Sequence, residues 1–422
     1  MKIFLRSLMI LVIALFFWIS ASELISTWWI EKYGDPLDKA KHILVADRWL
    51  GWRQKPNFNG KFQNIALKTN EIGLRNKSFS RISNSSKNIL VLGPSSTFGW
   101  GVEEYQTYSF VLEDLLRNKY PGIAINVINA GQIGFSSWQG LQLYEEKEFK
   151  KLKLDVLIIA YGVNDLDRFR FFYTSPLSDK EEFAVPKKAW EISLQNFLLR
   201  FQFINLLSRK IFNFFDNYKC SHKMIPNRRV SSIDFSRNIE KLVRLGKLNG
   251  LGIILLSSAY DLPSFKKINS EIKEAFYKYF NEGRNKYGKK QYAEALTYFQ
   301  KAAEIKPDEN EIYYYSSSCD SYLGDCRDAK KMFENARQLE PCRIANDIDE
   351  LNDILRKIAD KDGAILVDMK ECLVISNRDI MFLDPIHMSA RGNQRVAEKI
   401  SDIIYEYDLL KVNKTRESNG SR

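Results

Sequence analysis

From Asn88 onward the chain alternates between short, continuous apolar runs and longer stretches with helical periodicity. The runs are Asn88–Gly93, Ile125–Gly131, Leu154–Gly162, Gly252–Ser257 and Ala364–Met369. Runs that are apolar at nearly every position, rather than at alternate ones, read as strands buried on both faces and hence as parallel. Between them, Tyr108–Arg117 and Phe235–Leu248 carry apolar residues at helical spacing. Strand and helix in alternation predict an α/β fold with a doubly wound sheet.

Three regions depart from that rhythm. At the N-terminus Lys2 and Arg6 flank the start of an uncharged run from Ser7 to Ser22, and Leu24, Ile25, Trp28, Trp29 and Ile30 extend its apolar character past Glu23. Residues 1–30 are therefore expected to be a transmembrane anchor or signal segment. Ser20-Ala21-Ser22 offers a cleavage site, the paired tryptophans suit a membrane interface, and a buried globular helix is the third reading. The basic residues at its start place the N-terminus in the cytoplasm and the rest of the chain on the periplasmic or extracellular side of the cytoplasmic membrane, as a single-pass protein. Residues 31–87 form a lead-in punctuated by Gly51-Trp52, Lys55-Pro56-Asn57 and Asn70–Arg75, a texture of turns and short strands. Residues 166–230 are rich in Phe, Arg and Lys and amphipathic at helical spacing. Packing on the α/β core, capping a site at the sheet edge and lying against a membrane are all open for them.

Residues 276–341 contain a repeat. Tyr279 and Tyr313, Ala295 and Ala329, Phe299 and Phe333, Ala302 and Ala336, and Pro307 and Pro341 are each 34 positions apart. Small residues flanking a Phe, closed by a Pro, at that period resemble tetratricopeptide (TPR) repeats, helix hairpins whose small residues let the helices approach. An all-α insertion is thus expected between the fourth and fifth strands. It divides the α/β domain into 88–275 and 342–410, with a polar tail over 411–422. The resemblance implies a protein or peptide partner, with a structural spacer as the alternative. In this register Cys319 lies in the first helix of the second repeat and Cys326 opens its second helix, so these two are the likeliest pair for a disulfide if the chain is exported; five unpaired cysteines is the alternative.

Composition narrows the chemistry. Of 422 residues, 45% are hydrophobic and 27% charged, which argues against disorder over most of the length. The net charge of +11 points to an anionic partner or to solvated lysines, and no nucleic-acid motif accompanies it, so no nucleic-acid partner is expected. Only His42, His222 and His387 are present, which argues against a multi-histidine metal site, and none of the five cysteines forms a CxxC pair. No metal or cofactor is expected.

The candidate chemistry sits where strands end. The first apolar run leads into Gly93-Pro94-Ser95-Ser96-Thr97-Phe98-Gly99, the second into Asn129-Ala130-Gly131-Gln132-Ile133-Gly134, and the third into Gly162-Val163-Asn164-Asp165. Beyond the last comes Asp384-Pro385-Ile386-His387. Ligands of open α/β sheets bind at the carboxyl ends of strands, so four polar clusters at one edge suggest one site. A serine hydroxyl needs a base in hydrogen-bond reach, and His387 suits that role. A carboxylate must orient the imidazole, and Asp384 lies three residues away. A tetrahedral oxyanion needs donors.

In order and spacing the four blocks resemble those of the SGNH (GDSL-like) hydrolases. The resemblance covers roughly 88–170 and 230–405, less the insertion, and implies a flavodoxin-like parallel sheet flanked by helices. It also implies catalytic Ser95, Asp384 and His387, and an oxyanion hole from Ser95 N–H, Gly131 N–H and the Asn164 amide. Where that family usually has Asp before the nucleophile, this chain has Pro94, which lacks an N–H. The lead-in resembles membrane-anchored bacterial members found near polysaccharide-processing systems. The implied activity is an acyl-ester hydrolase (an esterase or deacetylase) acting through an acyl-Ser95 intermediate on an acylated glycan or cell-envelope polymer. An O-acyltransferase, a lipase-like enzyme and a catalytically degenerate scaffold using the repeats are the alternatives.

Overall fold

The computed structural model describes residues 2–34, 36–166, 169–170, 173–174, 177–204, 206–207, 228–261, 270–307, 309–373 and 381–412. Helix α1 (Lys2–Tyr33) is followed by two antiparallel pairs, β1 (Leu44–Asp47) with β2 (Gly51–Gln54) and β3 (Asn59–Phe62) with β4 (Ile65–Lys68). The central domain then runs β5 (Lys87–Gly93), α2 (Ser95–Phe98), α3 (Tyr108–Lys119), β6 (Ile125–Gly131), α4 (Ser137–Tyr144) and β7 (Val156–Ile159). It continues with α5 (Ala189–Leu198), α6 (Ser232–Leu248) and β8 (Gly252–Leu256). Four helices follow: α7 (Ser270–Gly288), α8 (Tyr292–Ile305), α9 (Asn310–Leu323) and α10 (Cys326–Asp362). The chain closes with β9 (Ile365–Val367) and α11 (Ala390–Glu406).

Strands β5 to β9 form one parallel sheet in the order β9-β8-β7-β5-β6. This is the flavodoxin-like order, and the point at which the strand order reverses lies between β5 and β7. The pleat sends Leu90 and Leu92 to one face and Ile89 and Val91 to the other, all fully buried. The first face is covered by α4, α6 and the C-terminal part of α10, and the second by α3 and α11. Burial on both faces is why these strands read as continuous apolar runs. The lead-in is no appendage: Leu44, Leu50, Trp52, Phe62 and Leu67 belong to the same buried cluster as the first face.

The helical insertion lies between the fourth and fifth strands of the sheet, as expected, and has its own small core. Ala295, Phe299 and Ala302 are buried with Phe276, Phe280, Ile312 and Cys319. A Cβ on Gly283 would lie 2.7 Å from the Phe299 ring, which marks a close helix approach. Two expectations for this region need correction. The second hairpin does not close at Pro341: α10 runs through it to Asp362, because Ile348, Leu351, Leu355 and Ile358 form a buried stripe that holds its second half on the sheet. The boundary between 341 and 342 therefore falls inside a continuous helix. Nor do Cys319 and Cys326 pair. Cys319 is a buried free thiol, pushed up to about 12 by burial and then by the nearby Asp320 charge, while Cys326 is bonded to another cysteine.

Helix α1 is long and apolar enough over Met9–Tyr33 to cross a membrane, and nearly all of that stretch is exposed, which excludes the buried-helix reading.

Candidate active site

Ser95 follows the carboxyl end of β5 and opens α2, a single turn ended by Gly99 in the left-handed region (φ 86°). A side chain at Gly93 would strike Thr97 Oγ1 at 2.0 Å, so glycine is required for the strand to turn this tightly into the helix. At the far end of the sequence, residues 381–389 fold back on themselves: Leu383 N–H donates to His387 O (2.8 Å) and Ser389 N–H to Met381 O (2.9 Å). Inside that hairpin, Asp384 Oδ1 accepts from the backbone N–H groups of Ile386 (3.0 Å) and His387 (2.9 Å).

These two loops meet. Ser95 Oγ lies 2.8 Å from His387 Nε2, and His387 Nδ1 lies 2.6 Å from Asp384 Oδ2. Burial pulls the Asp384 carboxyl up, but the bonds and charge of His387 and the two backbone donors outweigh it and hold the group below the usual carboxylate range. The carboxylate thus stays ionised, as a group that orients an imidazole must. Trp100 stacks on the His387 ring (5.1 Å between centroids, 14° between planes) and fixes its plane from the other side.

Asn164 lies just beyond β7, buried, with Nδ2 donating one hydrogen to Phe135 O (3.2 Å). The Ser95 N–H, in the first turn of a helix, has no intrahelical acceptor. Gly131 differs from expectation. Its N–H is committed to Asn129 Oδ1 (3.0 Å), and a Cβ on it would lie 2.3 Å from the Phe98 backbone nitrogen, so this glycine permits β6 to pass under α2 and is not a free donor. Three residues on, Gly134 adopts φ 75° and its N–H has no partner among the described residues. The repeated glycine in Gly131-Gln132-Ile133-Gly134 was the available signal for it.

Other contributors were not singled out from sequence. Arg75, almost fully buried, donates to the carbonyls of Gly99 (2.7 Å), Val102 (2.7 Å) and Phe98 (3.3 Å), clamping the loop that follows Ser95. Trp52 Nε1 donates to Ile133 O (2.8 Å). Arg229 donates to Gly134 O (2.8 Å) and forms a buried ion pair with Asp179 (2.8 Å). Asp165 accepts from Ser137 N–H (2.9 Å) and Ser137 Oγ, and burial raises it to about 7 against those bonds. The Gln132–Ser137 loop is thus held by lead-in residues on one side and a buried charge network on the other.

Ser95, Asn164 and His387 line one solvent-open cleft together with Ser257, Ser258 and Met369. Ser258 is tied to α10 by two bonds to the Asn352 amide (2.8 and 2.9 Å). Among the described residues no group of three or more His, Cys, Asp or Glu is arranged to hold a metal ion.

No protein-family model matches the chain, and no curated protein matches it. Solved structures do. An α/β hydrolase from the metagenome of Lake Arreo, Spain, is similar over 77% of this chain and 97% of its own, at 13% identity and a TM-score of 0.38. A lipase/acylhydrolase from Enterococcus faecalis is similar over 76% and 96%, at 14% identity and a TM-score of 0.37. An acetylxylan esterase from Geobacillus stearothermophilus is similar over 76% and 96%, at 15% identity and a TM-score of 0.34. At these values the reading of the site rests on its own geometry.

Proposed function

We propose that the chain is a serine-dependent acyl-ester hydrolase with Ser95 as nucleophile, His387 as general base and Asp384 as its orienting carboxylate. The observation that carries this is the continuous hydrogen-bonded chain from Ser95 Oγ through His387 to Asp384, at 2.8 and 2.6 Å. In the first half-reaction Ser95 Oγ attacks the ester carbonyl while His387 Nε2 takes the hydroxyl proton. The imidazolium so formed is stabilised by Asp384. The oxyanion is received by Ser95 N–H, by the second hydrogen of Asn164 Nδ2 and by Gly134 N–H, which replaces Gly131 in this role. His387 returns its proton to the leaving alkoxide, leaving an acyl-Ser95 ester. Water, deprotonated by the same nitrogen, then releases the acid. Loss of one oxyanion donor is expected to cost on the order of 10²–10³ in rate. Pro94 costs nothing obvious in this scheme, since the N–H that matters belongs to Ser95.

The substrate class we favour is an acylated glycan or cell-envelope polymer, on the resemblance of the lead-in and on α1 as a single membrane anchor that leaves the domain outside the cytoplasm. A sugar hydroxyl in place of water would make the same site an O-acyltransferase. The helical insertion, read as TPR-like, would hold a protein partner. The test is hydrolysis of 4-nitrophenyl acetate by the detergent-solubilised full chain and by Ser95→Ala. We expect a loss on the order of 10⁴–10⁶ in the variant. Equal rates in the two folded proteins would remove Ser95 as nucleophile. Acyl transfer to added glycan in preference to water would assign the transferase.

A further inference from the structure

Helix α5 is amphipathic the wrong way round for a protein surface in water. Its inward side carries Asn196, whose Oδ1 accepts from Ala46 N–H (2.7 Å) and whose Nδ2 donates to Ala46 O (3.1 Å), docking the helix on edge strand β1. Its outward side carries Trp190, Leu194, Phe197 and Leu198, exposed by 63, 50, 52 and 37%. These positions follow the spacing i, i+4, i+7, i+8 and form one stripe. A surface helix in water turns such a stripe to the core, yet no residue of α5 is buried. Trp49 and Val185, exposed by 59 and 77%, extend the apolar surface through the turn in which Arg48 Nε donates to Lys187 O (3.0 Å). Arg48, Lys188 and Arg200 are exposed around it.

The position of this helix relative to α1 gives the occupant. Just past α5, the N–H groups of Gln202 (2.7 Å) and Phe203 (3.0 Å) donate to the Glu23 carboxylate, and the Phe203 ring packs edge-on against Trp18 (5.3 Å). Glu23 is the first charge after the apolar run of α1. An outward stripe of Trp, Leu and Phe with a cationic border, fastened beside the point where an apolar helix acquires its first charge, has the composition of an interfacial helix. The cations suit an anionic headgroup layer.

We propose that the Trp190–Leu198 face of α5 lies in the headgroup layer of the bilayer that α1 enters, with anionic phospholipid as its ligand. The domain would then be held to the membrane at two places and could not swing freely about α1. This rests on α1 being a membrane anchor, and the experiment separates the two ideas.

The full chain is reconstituted into vesicles of phosphatidylethanolamine and phosphatidylglycerol. Dansylalanine replaces Leu194 in one variant and Ile19 of α1 in another, and quenching by brominated phospholipid is read. The expected result is a blue shift and quenching at both positions, with quenching at 194 reduced in vesicles of phosphatidylcholine alone. Quenching at 19 without quenching at 194 overturns the contact and leaves the anchor standing; a protein partner would then be the occupant of that face. Quenching at 194 alone supports the contact and removes the anchor. Quenching at neither overturns both, and equal quenching at 194 in phosphatidylcholine overturns the anionic specificity.

Discussion

The loop that carries Ser95 and the loop that carries His387 come from distant parts of the sequence to the same edge of the sheet, and they are held in different ways. The His387 hairpin is held largely by its own bonds, with one from outside, Asp261 N–H donating to Pro385 O (2.7 Å). Its carboxylate, its imidazole and both backbone donors to Asp384 lie within four consecutive residues, and it is exposed enough that Asp384 retains 38% of its side-chain surface. The Ser95 loop is buried and relies on distant residues. Arg75 holds the carbonyls behind it, and the lead-in and the Arg229–Asp179 pair hold the neighbouring Gly134 loop. A carboxylate and imidazole three residues apart can be oriented by a short turn alone. The proposed nucleophile, whose oxyanion donors would come from three strand ends, cannot, because each donor belongs to a different loop.

If the hairpin is self-contained, damage there should remove chemistry and spare the fold. Asp384→Asn keeps the shape but loses the charge that holds the imidazole tautomer, and the expected loss in kcat is about 10⁴. The unfolding midpoint near neutral pH should move little, since the carboxylate is more than a third exposed. Circular dichroism melts beside ester hydrolysis decide it; a variant that loses both activity and fold would show that the hairpin is not independent.

On the Ser95 side the two losses should come together. Arg75→Met removes the donor from three backbone carbonyls in a buried place, where each unsatisfied group costs about 1–3 kcal/mol. Partial repair by water and relaxation leaves an expected net loss of about 3 kcal/mol in urea unfolding. Because the loop that moves is the one behind the nucleophile, kcat should also fall by on the order of 10² with KM nearly unchanged. A stability loss with kcat intact would make Arg75 a structural residue only.

The same contrast explains what could be read from the sequence. The parallel sheet was legible because strands buried on both faces leave an unbroken apolar run, and β6 matches its run residue for residue. That Ser95, Asn164, Asp384 and His387 come together could be anticipated because each follows such a strand in a recognisable block. Gly131 was misplaced as a donor: two glycines stand three apart in one loop, and which of them has a free N–H depends on the Asn129 side chain, a contact no pattern records. Arg75, Trp52 and Arg229 were passed over for a related reason. They act on backbone carbonyls far away in sequence, and a carbonyl has no residue type to match. The end of the second helix pair was misjudged because a Pro was given more weight than the stripe Ile348, Leu351, Leu355, Ile358 that carries α10 onward.

Trp100 is one of the places where the two regions touch besides the Ser95–His387 bond; Gly101 beside it is another, since a Cβ there would lie 2.6 Å from Leu383 Cδ1. It follows Gly99 in the Ser95 loop, its N–H donates to Ser95 O (3.0 Å), and its indole lies flat on the His387 ring. Phe62 of β3 packs edge-on against the other side of the arrangement (4.8 Å), so the lead-in reaches the imidazole through one intervening ring. An indole face over an imidazole does two things: it restricts rotation about the Cβ–Cγ bond, and it attracts the imidazolium formed during acylation, worth about 0.5–1 kcal/mol at a partly exposed site. Trp100→Leu should therefore lower kcat/KM by roughly two- to fivefold, the smallest of these effects, while Trp100→Phe should recover most of it. If Leu and Phe are equivalent and both near wild type, the imidazole is held by Asp384 and its own hairpin alone, and the division between a self-supporting base and a supported nucleophile is sharper than the stacking suggests. If Leu costs far more than tenfold, the indole is part of what positions His387, and the hairpin is less independent than its internal hydrogen bonds imply.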